Sequence, residues 1–173
     1  MPVQHSAFDS LSDVQTIAKF AILPLRTKFR GPAYPTDDYD IVDEVIDLFR
    51  VNSFFRNFEI QGNADRTLLY GILFVNECLV KVRSSQPSLN DANKQLNIIA
   101  SDNFSIPGEP SFPLNAIYGV ASLQEQDMLR SYLSQFRQEL ALRLLGHLYA
   151  DGETPCKHWL AFSRKQFMNL SLK

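Results

Sequence analysis

Residues Ala64 to Ser84 read ADRTLLYGILFVNECLVKVRS, and the middle of that stretch, Leu68 to Val75, carries no charge. Its only strong hydrogen-bonding side chain is the Tyr70 hydroxyl. A run of this length makes more than two helical turns, so apolar groups point in every direction. A surface helix would show a stripe instead. A strand is the rival reading for so short an apolar run. The extent of the segment, and Arg66, Glu77 and Lys81 at helix-compatible spacing, favour a helix enclosed by other helices. Asn76 and Glu77 end the run well short of the ~20 residues of a membrane span. Gly71 costs about 1 kcal/mol against Ala in a helix interior. That implies close approach of a neighbouring helix or, failing that, a kink.

The chain has 173 residues, enough for a single helical domain over 1–173 with a real core. Phe is over-used, at 13 residues, and Gly scarce, at 7, which suits large side chains filling gaps between helices. A net charge of -2 argues against a nucleic-acid binder, which needs a dominant basic surface. Cys78 and Cys156 are too few and too far apart for a metal cluster or a disulfide scaffold. MPVQHSAFDS shows no secretory pattern, so the Asn103 and Asn169 acceptor motifs carry little weight and a cytosolic protein is expected.

Outward from the central stretch, residues 1–35 read as an extended arm made basic by Lys19, Arg26, Lys28 and Arg30. Pro24 prevents a regular helix there. A first helix is expected from near Asp37 to about Asn52, its acidic start favoured by the helix dipole. That acidic run is either a solvated helix start or a docking face for a basic partner. Phe54, Phe55, Phe58 and Ile60 read as core plugs, and Asn63 as the cap of the central helix. Ser88 starts a surface helix with Leu89, Ala92, Leu96 and Ile99 on one face.

Residues 101–121 place a proline at every third position, which favours polyproline II. The segment reads as a stiff strap laid on the helices by Phe104, Ile106, Phe112, Leu114 and Ile117, with a proline-motif ligand as the alternative. The longest helix is expected from Leu123 to about Ala150 behind the capping box Ser122–Glu125. Leu129, Leu133, Phe136, Leu140 and Leu144 form its inner face, with Arg130, Arg137, Glu139 and Arg143 mostly opposite. A last helix opens with Thr154-Pro155 and turns Trp159 and Phe167 inward. Its basic residues admit either ordinary docking or a membrane-surface role.

Catalytic patterns are missing: the sequence has no phosphate-cradling glycine motif, HExxH, GxSxG or CxxC. His5, His147 and His158 are scattered, and Cys156 near His158 is the one conceivable thiol pair. Composition and spacing therefore point to an all-α, non-enzymatic interaction domain of about five helices around one central buried helix, about 64–84.

Several segments in order carry a resemblance. They are KFRGP (28–32), DIVDE (40–44), NSFF (52–55), NFEI (57–60), ADRTL (64–68), IPGEP (106–110), FPLNAIY (112–118) and RKQFMN (164–169). Together they resemble subunit 3 of the actin-related protein 2/3 complex, over essentially the whole chain. The resemblance implies a compact helical subunit with no catalysis and no cofactor of its own, ATP sitting on the actin-related partner subunits. The partners implied are the other complex subunits, chiefly actin-related protein 3, and the actin filament at the branch, with no nucleic acid and no membrane span. A cytoplasmic location in cortical actin structures follows. The contact residues expected from motif and exposure are Lys28, Phe29, Arg30, Glu109, Phe112, Arg164 and Lys165.

Overall fold

In a computed structural model, residues 3–54, 56–164 and 167–172 are described. After a 3-10 turn at Ala7–Ser10, strands β1 (Thr16–Ile17) and β2 (Phe20–Ala21) form an antiparallel hairpin, with Ile17 opposite Phe20. Ala18 and Lys19 between them both lie at positive φ, the geometry that lets a two-residue turn follow strand twist. Five helices follow: α1 (Ile41–Asn52), α2 (Asn63–Ser85), α3 (Leu89–Ser101), α4 (Leu123–Leu148) and α5 (Lys157–Ala161). The fold is therefore predominantly helical, and the hairpin corrects the all-α expectation.

Every residue of α2 from Thr67 to Val75 is buried. Gly71 explains how: a Cβ there would stand 2.5 Å from Val45 Cγ2 and 3.0 Å from Phe136 Cζ, so α1 and α4 close directly on its backbone. Past Val75 the helix changes. Asn76 and Glu77 are half-buried and Val80, Lys81 and Ser84 exposed, while Cys78, Leu79 and Val82 remain inside. Enclosure on all sides is thus a property of its first half. The cap also differs from expectation. Asn63 is the first helical residue behind Gly62, which gives no side-chain cap. The Asp65 N–H instead donates to Asp9 Oδ1 at 3.0 Å, so the cap comes from the N-terminal 3-10 turn.

Helix α1 begins at Ile41 rather than Asp37, because Asp40 and Asp43 make a reciprocal capping box that defines its first turn. The capping box of α4 and the Ser88 cap of α3 are as expected. Two of the four charges assigned to the outer side of α4 are buried instead: Arg137 is 4% exposed and Glu139 7%. The last helix is a short α5 with Cys156 at its N-cap, followed by 3-10 turns at Phe162–Arg164 and Phe167–Asn169. Thr154 is held in a turn by the Asp151 carboxylate and caps nothing. Among the aromatic connector residues Phe58 is core, Phe54 is exposed, and Phe55 lies outside the described residues.

The N-terminal arm is part of the core. Phe20, Ala21, Ile22, Leu23 and Leu25 are buried, and the Tyr132 hydroxyl both donates to Leu23 C=O and accepts from its N–H. The proline-rich strap is a chain of tight turns rather than polyproline II. Pro107 and Gly108 occupy the corners of a turn closed by Glu109 N–H on Ile106 C=O, with Gly108 at φ +97°. The Asn115 amide closes further turns by donating to Glu109 C=O and Phe112 C=O. The strap does pack as expected through Ile106, Phe112 and Leu114, all buried, with Phe104 and Ile117 half-buried.

Candidate interaction surface

The open side of α2 is the start of a groove that runs along one face of the molecule. Its widest part, about 1120 Å³, lies between α2 and α3 and reaches Ser163, Arg164 and Ser171. Through Glu77, Ile98, Ile99 and Asp102 it joins a narrower part lined by Phe104, Phe112 and Arg137. Through Asp102, Asn103, Phe104 and Ser105 it continues to Arg30, Glu109 and Arg130.

Three arginines or amides from α4 build the walls. Arg137 lies between the Phe74 and Phe104 rings, its guanidinium carbon 4.6 and 4.5 Å from their centroids. It donates to Ile99 C=O at 2.7 Å, Ala100 C=O at 3.4 Å and the Tyr70 hydroxyl at 3.1 Å, tying the C-terminal end of α3 to the core. Arg130, seven residues earlier on the same side, donates to Phe104 C=O and pairs with Glu109 at 2.6 Å. The Ile106 N–H also donates to Glu109, and these partners hold its carboxyl below the usual range, the backbone bond foremost. Gln135, 3% exposed, clamps the arm: its Nε2 donates to Phe29 C=O and its Oε1 accepts from Ala33 N–H. Gly31 sits against it, where a Cβ would be 2.4 Å from Gln135 Oε1.

Of the expected contact residues, Arg30, Glu109 and Arg164 line this groove and share one face. Lys28 is exposed and Phe29 half-buried on the loop that Gln135 holds. Phe112 is 4% exposed, its ring against Tyr118 at 5.7 Å, so it anchors the strap instead of standing free. Lys165 lies outside the described residues. The wall residues Arg137 and Gln135 were not anticipated. The seven-residue spacing of Arg130 and Arg137 was the available signal, since it puts both on one side of α4.

The titratable clusters bind the fold to itself. Arg143 pairs with Asp40 at 2.6 Å and Asp43 at 3.0 Å, and Arg26 with Asp43 at 2.9 Å. The acidic start of α1 thus meets basic partners from its own chain. Burial alone would raise the Asp43 carboxyl, but the Arg26 hydrogen bond, the Asp40 N–H and the Arg143 charge together lower it. His158 packs edge-on against Phe162, and among the described residues no hydrogen bond joins it to the free Cys156 thiol. Among the described residues no group of three His, Cys, Asp or Glu side chains is placed to hold a metal, and no helix is long and apolar enough to cross a membrane.

With this geometry in view, the comparisons are uniform. The family model P21-Arc, described as the ARP2/3 complex ARPC3 (21 kDa) subunit, matches residues 1–172. The chain is 56% identical over 176 residues to actin-related protein 2/3 complex subunit 3 of Schizosaccharomyces pombe, covering 99% of this chain and all of that one. It is 53% identical to the subunit of the same name from Saccharomyces cerevisiae, at 99% and 100% coverage. The corresponding Dictyostelium discoideum protein is 42% identical, at 98% and 99% coverage. Each of these relatives is named as a subunit of the actin-related protein 2/3 complex. The chain belongs to the ARP2/3 complex ARPC3 (21 kDa) subunit family.

Proposed function

We propose that this chain is a structural subunit of the actin-related protein 2/3 complex that packs against the actin-related protein 3 subunit and so supports filament nucleation and branching. The observation that carries the proposal is the match to relatives of that name over nearly their whole length. A subunit of this kind works by holding shape, and α2 is its hub: α1, α3, α4, α5 and β2 all touch it. The partner contacts are Lys28, Arg30, Glu109 and Arg164, presented by segments that the buried residues hold in place. ATP belongs to the actin-related partners, and the complex to the cytoplasmic actin cytoskeleton, its cortical structures included.

Affinity purification of the tagged full-length chain from its own cells tests this. It is expected to bring down both actin-related subunits in fixed proportion, with Lys28 cross-linking to actin-related protein 3. Recovery as a free monomer would overturn the proposal. Recovery in the complex with cross-links only to other subunits would overturn the assignment to actin-related protein 3.

A further inference from the structure

We propose that the trough between α2 and α3 seats an acidic amphipathic helix of a neighbouring subunit, an inference that rests on the complex-subunit reading above. Its walls have helical spacing on both sides. Leu73, Asn76, Val80 and Ser84 form one stripe of α2, and Gln95, Ile98, Ile99 and Asp102 one stripe of α3. Two helices flanking an unfilled groove are the receptor half of ridge-into-groove packing. From Leu73 to Ser84 the stripe is ~16 Å long at 1.5 Å per residue, room for three turns of a partner helix.

The chemistry of the trough narrows the occupant. Ile98 is 65% exposed and Val80 38%, and both stand in the trough. Branched side chains at exposed helix positions bring no helix-forming advantage, so burial against something apolar is what they offer. The rim is cationic: Lys81, Arg83 and Arg164 border the trough, and among the described residues none of them is in an ion pair. Asp102, also on the rim, accepts the Asn103 N–H at Oδ1 at 2.9 Å and keeps its negative charge, so the three cations are only partly offset. Glu77 is the other acid there, and it is already engaged. The matching helix has an apolar ridge for Val80 and Ile98 and carboxylates for the rim cations.

The test uses the whole complex, co-expressed with the tagged chain. Ile98→Asp is expected to lower co-purification of the other subunits at least tenfold. The double reversal Lys81→Glu with Arg164→Glu should lower it several-fold and make it less salt-sensitive. Asn93→Asp, the same charge added on α3 outside the trough, should change nothing. Thermal midpoints of the isolated variants separate lost docking from lost folding. A photo-cross-linker at position 98 should label an acid-rich helix of one other subunit. Wild-type recovery with Ile98→Asp, labelling of a second copy of this chain, or no labelling in the assembled complex would each overturn the proposal. If the wild-type chain recovers no other subunit, the complex-subunit reading has failed, and that is visible before any variant is compared.

Discussion

In the middle of α2, Gly71 lets Val45 and Phe136 close on the backbone, and no residue from Thr67 to Val75 reaches solvent appreciably. Less than two turns earlier Asp65 is just as deeply buried, yet what surrounds it is polar. Its carboxylate accepts from His5 Nδ1 at 2.7 Å, Ser6 N–H at 2.8 Å and Gln61 N–H at 2.9 Å. Next to it Glu44 accepts from Ala7 N–H, and Asn52 bonds both the N–H and C=O of Gln4. The N-terminal segment is therefore latched by side chains bonding its backbone, while the centre is held by area and shape. Apolar packing is shared among many neighbours, so its loss is felt globally. A hydrogen-bonded latch has few members and releases locally.

Removing packing at the centre gives the largest expected effect. Phe74 is fully buried and carries the Arg137 guanidinium on its face. Phe74→Ala should cost about 3–5 kcal/mol, seen as a lower denaturant midpoint for the whole domain at unchanged cooperativity. A loss confined to the α3 end, with the rest unfolding as before, would break the contrast drawn above.

Adding volume is the complementary experiment. Gly71→Leu should cost about 1–3 kcal/mol by overpacking against Val45 and Phe136. Gly71→Ala is more discriminating, because Ala gains about 1 kcal/mol of helix propensity. If close approach sets this position, the midpoint falls or stays level despite that gain. A midpoint raised by the full propensity gain would mean that Val45 yields freely.

The two regions also differ in how far they could be read in the sequence. An apolar run without a stripe, a proline-free helix with leucines at i, i+4 and i+7, and a Ser-x-x-Glu box are local patterns, and α2, α4 and their flanks follow from them. The latch is not local. Asp9 caps a helix more than fifty residues away, and Asp65 looks from its neighbours like an ordinary first-turn acid. Arg137 and Gln135 belong to the same class, since their partners lie on α3, the strap and the arm. The strap is a different failure. Proline spacing suggested polyproline II, but Pro107-Gly108 is a turn dipeptide and Asn115 a turn-closing side chain, and both were present to be weighed. The groove itself was legible only in fragments, as Arg30, Glu109 and Arg164 on segments that the chain order keeps apart.

On the latch side, Asp65→Asn keeps the shape of the buried group but turns one acceptor into a donor facing His5 and Gln61. Unsatisfied buried groups of this kind cost about 1–3 kcal/mol. The expected outcome is local. Amides of Ser6 and Ala7 lose hydrogen-exchange protection and the segment becomes open to proteases, while the core amides of Leu68 to Val75 exchange as before. Equal loss in both regions would show that latch and core open as one unit.

The smallest effect is a pH dependence, and it sharpens the latch further. The Asp9 carboxyl is pushed up to about 6 by burial first and then by the neighbouring Asp65 carboxylate. Glu44 is raised as well, again mainly by burial, with Asp65 and Asp47 adding to it. A carboxyl raised on folding stabilises the docked segment below its unfolded value near 3.8, and that stabilisation is lost as pH rises through about 6. Protection factors at Ser6 and Ala7, each corrected for intrinsic exchange, should therefore decline between pH 4 and 6.5. Asp9→Asn separates the Asp9 contribution from that of Glu44. It keeps an Oδ1 acceptor for the Asp65 N–H and removes the titration, so the decline should flatten to the share set by Glu44. An undiminished slope in Asp9→Asn would assign the pH response to Glu44 instead.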